Sequence, residues 1–258
     1  MSLANAAAVL HWLKRGRSDV AVLELSTAMG WPKSSASRLL KDMANLGLLE
    51  RDETTRRYRA GLLMLELGRA YAAGDPVLEA LDAELQDMTQ RTGFSTGVSI
   101  LDGIDIVVLR SRAGTHPLRV VTPPGTRGPA WANSTGRMLM ARPSDEEIAR
   151  RFAIFPPRPR PNAPGTLAEL MALVNRARTC GWDESNDESL PGLAGISVAI
   201  EDIDRRTALA PYVAFSAAQV EPEERAELVA MLQDMTHRIE TRFGREPSAP
   251  RLQDMAHG

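Results

Sequence analysis

Residues 20–60 carry a pattern that few folds accommodate. Leu23–Met29 has the apolar spacing of a short helix and Gly30-Trp31-Pro32 interrupts it. Lys33–Leu46 then resumes a helical period, with Ala36, Leu39 or Leu40, Met43 and Leu46 on one face. Two short β-rich runs follow, Leu48–Arg51 and Arg57–Arg59, joined through Asp52–Arg56. Helix, tight turn, helix and basic hairpin in that order predict a winged helix-turn-helix, a module that lays its second helix in the major groove of duplex DNA.

The side chains suit that geometry. With one face buried, the second helix presents Lys33, Ser34, Ser35, Ser37, Arg38 and Lys41. Short hydroxyls approach base edges or phosphates closely, and Arg38 has the reach for a bidentate contact with guanine. Pro32 at the helix start leaves first-turn N–H groups free for phosphate. A solvated helix surface would explain the same serines without DNA. On the hairpin, Arg51, Arg56, Arg57 and Arg59 form the most basic cluster, and strand alternation sends Arg57 and Arg59 to one side and Tyr58 inward. These arginines are expected to touch the DNA backbone or minor groove, although for two of the four plain solubilisation accounts equally well.

Charge is distributed in the same sense. Residues 1–60 hold ten Lys and Arg against six Asp and Glu, whereas the rest of the chain holds 21 against 27. A basic end on an acidic body fits a protein that touches phosphate with one domain only. At 258 residues and 43% apolar content the chain can fill two cores, one of about 60 residues and one of about 180. Its single cysteine, Cys180, excludes an intrachain disulfide and suits a reducing compartment; it reads as a small buried residue near a helix end. No export signal and no apolar run of membrane-spanning length is present, so a cytoplasmic location is expected, neither exported nor membrane-spanning.

Beyond this module the periodicity assigns a first helix Leu3–Arg15, with Leu3, Ala6, Leu10 and Leu13 on one face, and a very apolar helix Leu62–Ala73. A helix Val77–Arg91 has Leu78, Leu81, Leu85 and Met88 in a stripe suited to a sheet or a second subunit. Strands are expected at Ser95–Leu101 and Ile104–Arg112 around Asp102-Gly103, then at Leu118–Thr122, Trp182–Asp187, Gly195–Asp202 and Ala208–Ser216. Helices are expected at Asn133–Ala141, Ser144–Phe155, Thr166–Cys180 and Glu223–Phe243, with a proline-rich loop over Phe155–Gly165. The resulting class is α+β: an N-terminal winged helix-turn-helix (1–61), a linker helix (62–75), a domain with a mostly antiparallel sheet flanked by helices (76–246), and a tail (247–258).

Catalytic and metal chemistry find little support. His11, His116, His237 and His257 are scattered, and none pairs with another ligand at metal spacing. Asp183-Glu184-Ser185-Asn186-Asp187-Glu188 reads as a solvated acidic loop rather than a cation site. No Gly-x-Ser-x-Gly elbow, phosphate-binding loop or dinucleotide fingerprint occurs. Neither an enzyme nor a cofactor or metal is expected.

The chain resembles the IclR-type transcriptional regulators through Pro32-Lys33-Ser34-Ser35-Ala36-Ser37-Arg38-Leu39-Leu40, Leu46-Gly47-Leu48-Leu49-Glu50-Arg51 and Tyr58-Arg59-Ala60-Gly61. The likeness continues through Leu101-Asp102-Gly103, His116-Pro117-Leu118-Arg119-Val120, Gly136-Arg137-Met138-Leu139-Met140-Ala141 and Pro191-Gly192-Leu193. It implies a GAF-like effector-binding C-terminal domain, a double-stranded DNA operator, a small-molecule effector of carboxylate type, and a homodimer or homotetramer joined through the N-terminal domains.

The same resemblance implies a ligand site at Val120, Trp131, Ser134, Thr135, Ser185, Gly195, Ala214 and Ser216. Asn133-Ser134-Thr135 at a helix start adds hydroxyls and N–H groups suited to a carboxylate, which ordinary N-capping explains equally. Ser185 stands where the family often has aspartate, Gly195 where it has cysteine, Ala214 where it has serine, and Trp131 where it has histidine. Smaller, less polar groups beside a tryptophan suggest a roomy, dry pocket for an aromatic or branched acid. The expected function is a ligand-responsive DNA-binding transcriptional regulator of a nearby catabolic or transport operon. The alternative is a DNA-binding regulator whose pocket is vestigial and whose large domain serves oligomerisation or protein contacts.

Overall fold

Apolar spacing in the first part of the chain closes on a core of its own. The computed structural model describes residues 2–14, 18–116, 120, 122–202, 207–218 and 220–243. It divides into two units, Met1–Gly74 and Asp75–Gly258. In the first, helices α1 (Leu3–Lys14), α2 (Val22–Met29) and α3 (Lys33–Asn45) are followed by an antiparallel hairpin, β1 (Leu49–Arg51) and β2 (Tyr58–Ala60), and by α4 (Leu62–Ala72). Val9, Trp12, Leu13, Leu25, Ala36, Leu39, Leu40, Met43, Leu49 and Tyr58 form the core.

The buried stripe of α1 differs from the expected one. Leu3 is 88% exposed, while Val9, Trp12 and Leu13 are buried at i, i+3 and i+4. The large indole of Trp12 turns the helix so that Ala6 and Leu10 flank the core instead of centring it. Arg15, the expected last residue of this helix, lies outside the described residues.

The second unit is built on an antiparallel sheet in the order β5-β4-β3-β9-β7-β6, with β8 also paired to β9. Its strands are β3 (Ser95–Asp102), β4 (Asp105–Arg112), β5 (Arg127–Pro129), β6 (Asp183–Asn186), β7 (Leu193–Ser197), β8 (Ile200–Asp202) and β9 (Thr207–Ser216). Helices α5 (Pro76–Thr92) and α9 (Pro222–Arg242) bury Leu78, Leu81, Leu85, Leu228, Leu232 and Met235 with Val98, Ile196 and Phe215 of the sheet. The apolar stripe of α5 therefore has a sheet as its partner. Between β5 and β6 lie a 3-10 turn (Ala130–Ala132), α6 (Ser134–Met140), α7 (Asp145–Arg151) and α8 (Leu167–Cys180). Cys180 is half-buried, less enclosed than expected.

Three differences from the expected elements have local causes. The run Gly195–Asp202 is two strands, because the β7–β9 register would place Val198 opposite Pro211, which has no N–H to return after Val198 N donates to Pro211 O at 3.3 Å. The helix expected over Ser144–Phe155 stops at Arg151, and Phe152 and Phe155 turn into an aromatic cluster with Trp131. The β5 strand escaped notice because Arg127-Gly128-Pro129 has neither alternation nor β-branched residues. The strand expected at Leu118–Thr122 falls largely outside the described residues, and Val120 and Thr122, which are described, lie in no strand. The tail 247–258 is likewise outside them.

Candidate functional site

Helix α2 ends at Gly30, whose φ of 66° and N–H bonds to Ser26 O and Thr27 O form a left-handed cap. Ser26 Oγ donates to Trp31 O at 2.7 Å, fixing the turn that aims α3. Helix α3 then starts after Pro32 with no side-chain cap, which leaves its first-turn N–H groups available. Ala36, Leu39, Leu40 and Met43 face inward. Lys33, Ser34, Arg38 and Lys41 are exposed, and Ser35 and Ser37 are half-buried on the flanks. None of the three cations has an ion-pair partner among the described residues.

The hairpin is more committed than its composition suggests. Asp52 accepts from Thr55 N at 2.7 Å and Thr54 N at 2.9 Å, and these bonds hold its carboxyl below the usual carboxylate range. Tyr58 packs inward, and Arg51 lies over its ring at 5.6 Å. Arg56 stands at the tip with φ 59°, 64% exposed, with Glu53 4.0 Å away. Arg59 bonds Glu50 at 3.0 Å, and Arg57 bonds both Asp19 and Glu24 at 2.8 Å. Arg57 and Arg59 are thus occupied by neighbouring carboxylates.

In the second unit, β4, β5, β7, β9 and the start of α6 enclose a cavity of about 250 Å³. Six of the eight expected ligand residues line it: Val120, Ser134, Thr135, Ser185, Gly195 and Ala214. Ile106, Val108, Leu190 and Leu193 supply most of the remaining apolar wall. Trp131 and Ser216 do not line it, which corrects the expectation for both. The Trp131 indole is drawn instead into the cluster with Phe152 and Phe155, at ring separations of 6.1 and 6.5 Å. Ser216 pairs with Leu193 at the last position of β9 and is not one of the lining residues, although Leu193 is. The dry character expected from Trp131 rests instead on the aliphatic wall.

The polar end of the cavity is a group of hydroxyls. Asn133 is the true cap of α6: its Oδ1 accepts from Gly136 N at 2.7 Å and its Nδ2 donates to Pro129 O at 2.6 Å. Ser134 and Thr135 are left facing the cavity, 2% and 5% exposed, opposite Ser185 at 8%, and none of their hydroxyls has a partner among the described residues. Gly195 lies between them, since a Cβ there would come within 3.7 Å of Ser134 Oγ and 3.8 Å of Ser185 Oγ. The Arg127 guanidinium also reaches the wall, but Asp102 at 2.5 Å and Asp105 at 3.0 Å neutralise it and raise its pKa. Tyr212 borders the cavity as a phenol: burial pushes its pKa up to about 12, against hydrogen bonds with Ser111 and Thr122.

An ion-pair network missed by sequence reasoning holds these walls together. Arg137, fully buried on α6, bonds Asp183 at 2.5 Å, pairs with Glu188, and donates to Glu184 O at 2.9 Å. Burial penalises its charge, but the two carboxylates outweigh that and raise its pKa. Arg176 also bonds Asp183, at 2.6 Å, and Asp187 and Glu184 are held by Arg160 and Arg225. The acidic run 183–188 is therefore neither a solvated loop nor a cation site, and no metal-holding cluster occurs among the described residues. Its carboxylates take up the arginines of α6 and α8, which places Ser185 against Ser134.

The model of the IclR helix-turn-helix domain matches residues 2–53, and that of the bacterial transcriptional regulator IclR C-terminal domain matches residues 69–241. The chain belongs to the IclR family. It is 23% identical over 227 residues to the transcriptional regulator KdgR of Dickeya chrysanthemi, covering 88% of this chain and 74% of that one. It is 23% identical over 259 residues to the transcriptional repressor AllR of Klebsiella pneumoniae, covering 96% and 92%. IclR-family members are transcriptional regulators, not enzymes. Among solved structures, an IclR regulator from Alicyclobacillus acidocaldarius superposes with a TM-score of 0.80 at 21% identity, covering 93% of this chain and 97% of that one. An IclR homolog from Microbacterium hydrocarbonoxydans complexed with 4-hydroxybenzoate gives 0.78 at 22% identity, covering 93% and 97%. The IclR fold is thus common to all three structures. Among the described residues no helix is long and apolar enough to cross a membrane.

Proposed function

We propose that this IclR-family chain binds an operator through α3 and the hairpin and senses a small carboxylate with an aromatic or branched body in the cavity. Lys33, Ser34, Ser35, Ser37, Arg38 and Lys41 would make the α3 contacts, with Arg51 and Arg56 on the wing. The gene under control would lie in a neighbouring catabolic or transport operon.

The observation that carries the effector reading is the trio of hydroxyls, without a partner among the described residues, that faces the end of an otherwise aliphatic cavity. A ligand oxygen that accepts from these hydroxyls gives each the partner that the protein does not supply, a net gain of about 0.5–1.5 kcal/mol per bond. Hydroxyl donors to a carboxylate are short and strong, and three of them offset the desolvation of one anionic head. The aliphatic wall takes the apolar body, and the carboxylic acid bound by the Microbacterium hydrocarbonoxydans protein has that same division into polar head and ring.

Thermal denaturation against a panel of aliphatic and aromatic monocarboxylates, including 4-hydroxybenzoate, tests the reading. A ligand at about 100 times its Kd should stabilise by about 2.7 kcal/mol. The shift is expected with one chemical class and should vanish in Ala214→Phe, which fills the cavity. A flat panel would instead favour the oligomerisation role.

A further inference from the structure

The wing arginines do not share one role. We propose that Arg57 is a positioning residue that locks the wing to α2, and that it makes no phosphate contact of its own; this rests on the DNA-binding reading above. Its Nε donates to Asp19 at 2.8 Å, and its two Nη atoms donate to Glu24 at 3.0 and 2.8 Å. Three of the five guanidinium N–H groups, one on each nitrogen, are thereby committed to these two carboxylates.

Charge points the same way. Asp19, Arg57 and Glu24 together carry a net −1, so the group repels phosphate instead of attracting it. Only Arg56 on this hairpin tip stands clear, with its nearest carboxylate at 4.0 Å. The backbone supports a joint at this place: Val20 N donates to Tyr58 O at 2.7 Å and Tyr58 N to Val20 O at 2.8 Å, directly beside the Asp19–Arg57 bond. Glu24 also accepts from Ala21 N at 3.1 Å in the first turn of α2. The three side chains thus tie the start of β2 to the start of the helix that carries α3, and the wing keeps one angle to the recognition helix.

Salt dependence separates positioning from contact. The probe is a duplex recovered by in vitro selection from a random-sequence library on the full-length protein, with affinity measured across a salt series. A lost phosphate contact lowers the slope of log affinity against log salt by about 0.9. Arg56→Ala is expected to do so. Arg57→Ala should weaken binding by about twofold to fivefold, in line with exposed ion pairs, while leaving the slope unchanged. Arg57→Lys keeps the charge but cannot span both carboxylates, so it should behave like Arg57→Ala. The double variant Asp19→Ala/Glu24→Gln makes the module more positive, yet it too should bind more weakly. The proposal is overturned if Arg57→Ala lowers the slope, if Arg57→Lys restores wild-type affinity, or if the carboxylate variant binds more tightly. Recovery of no duplex at all would overturn the DNA-binding reading and this proposal with it. Far-ultraviolet circular dichroism of each variant, expected to match wild type, shows that the effect is not unfolding.

Discussion

Arg137 and Asp183 face each other with both side chains fully buried, Nε to Oδ2 at 2.5 Å, across the seam between α6 and β6. Glu188 completes the pair on the other side of the guanidinium. Removing one member of such a group leaves uncompensated charge in the interior, which costs about 3–5 kcal/mol. Arg137→Ala is therefore expected to lower unfolding stability in urea by about that amount. A loss below about 1 kcal/mol would show that water reaches the site and that the network does not hold the cavity walls.

Two glycines, Gly136 on α6 and Gly195 on the cavity wall, should respond differently. A Cβ on Gly136 would lie 2.0 Å from the Ala130 carbonyl oxygen, a backbone atom, whereas the tightest contact for Gly195 is Val213 O at 3.3 Å. Gly136→Ala should destabilise by more than about 3 kcal/mol and Gly195→Ala by no more than about 1 kcal/mol. Equal costs, measured by chemical denaturation, would contradict the packing described for α6.

These features differ in how far they could be read in advance. The winged module was legible because Gly30-Trp31-Pro32 and the tip 52–56 are local signals, and each sits between segments of clear period. The hydroxyls at Ser134, Thr135 and Ser185 came from the family resemblance, and the structure brings them to one cavity. The Arg137 network was hidden because its members are 46 and 51 residues apart, and charged residues in sequence read as surface. Trp131 misled for a related reason: an aromatic beside a candidate site can serve the core behind it, and here Phe152 and Phe155 recruit it. The ion pairs of the wing were hidden for the same reason, since Asp19, Glu24 and Glu50 lie outside the arginine cluster with which they pair.

Tyr212 makes stability fall at high pH. Its folded pKa of about 12 lies above the ordinary 10, so the folded state holds the phenolic proton more tightly. The associated stability, on the order of 2 kcal/mol, is fully present below pH 10 and is lost as pH rises towards 12. In an ultraviolet tyrosinate titration, the difference between wild type and Tyr212→Phe should place the Tyr212 ionisation above the ordinary value, and Tyr212→Phe should show a shallower loss of stability over that window. Ionisation at the ordinary value would contradict its enclosed position.

Arg38 should carry base discrimination, because its guanidinium is exposed on α3 with no partner among the described residues. Arg38→Ala is expected to cost about 1–3 kcal/mol on the selected duplex and much less on random DNA, read by competition binding. An equal loss on both would make it a phosphate contact.

The most direct measurement of the central claim is the affinity of wild-type protein for the selected duplex with and without the carboxylate that stabilises it. A sensor requires the ligand to bind the DNA-competent and DNA-incompetent states unequally, and typical coupling of about 1–3 kcal/mol amounts to a change of about 5- to 150-fold. That change is expected in wild type, and in Ala214→Phe the affinity should no longer respond to the ligand. An unchanged affinity in wild type, or an equal change in both proteins, would contradict the assignment of the cavity as the regulatory site.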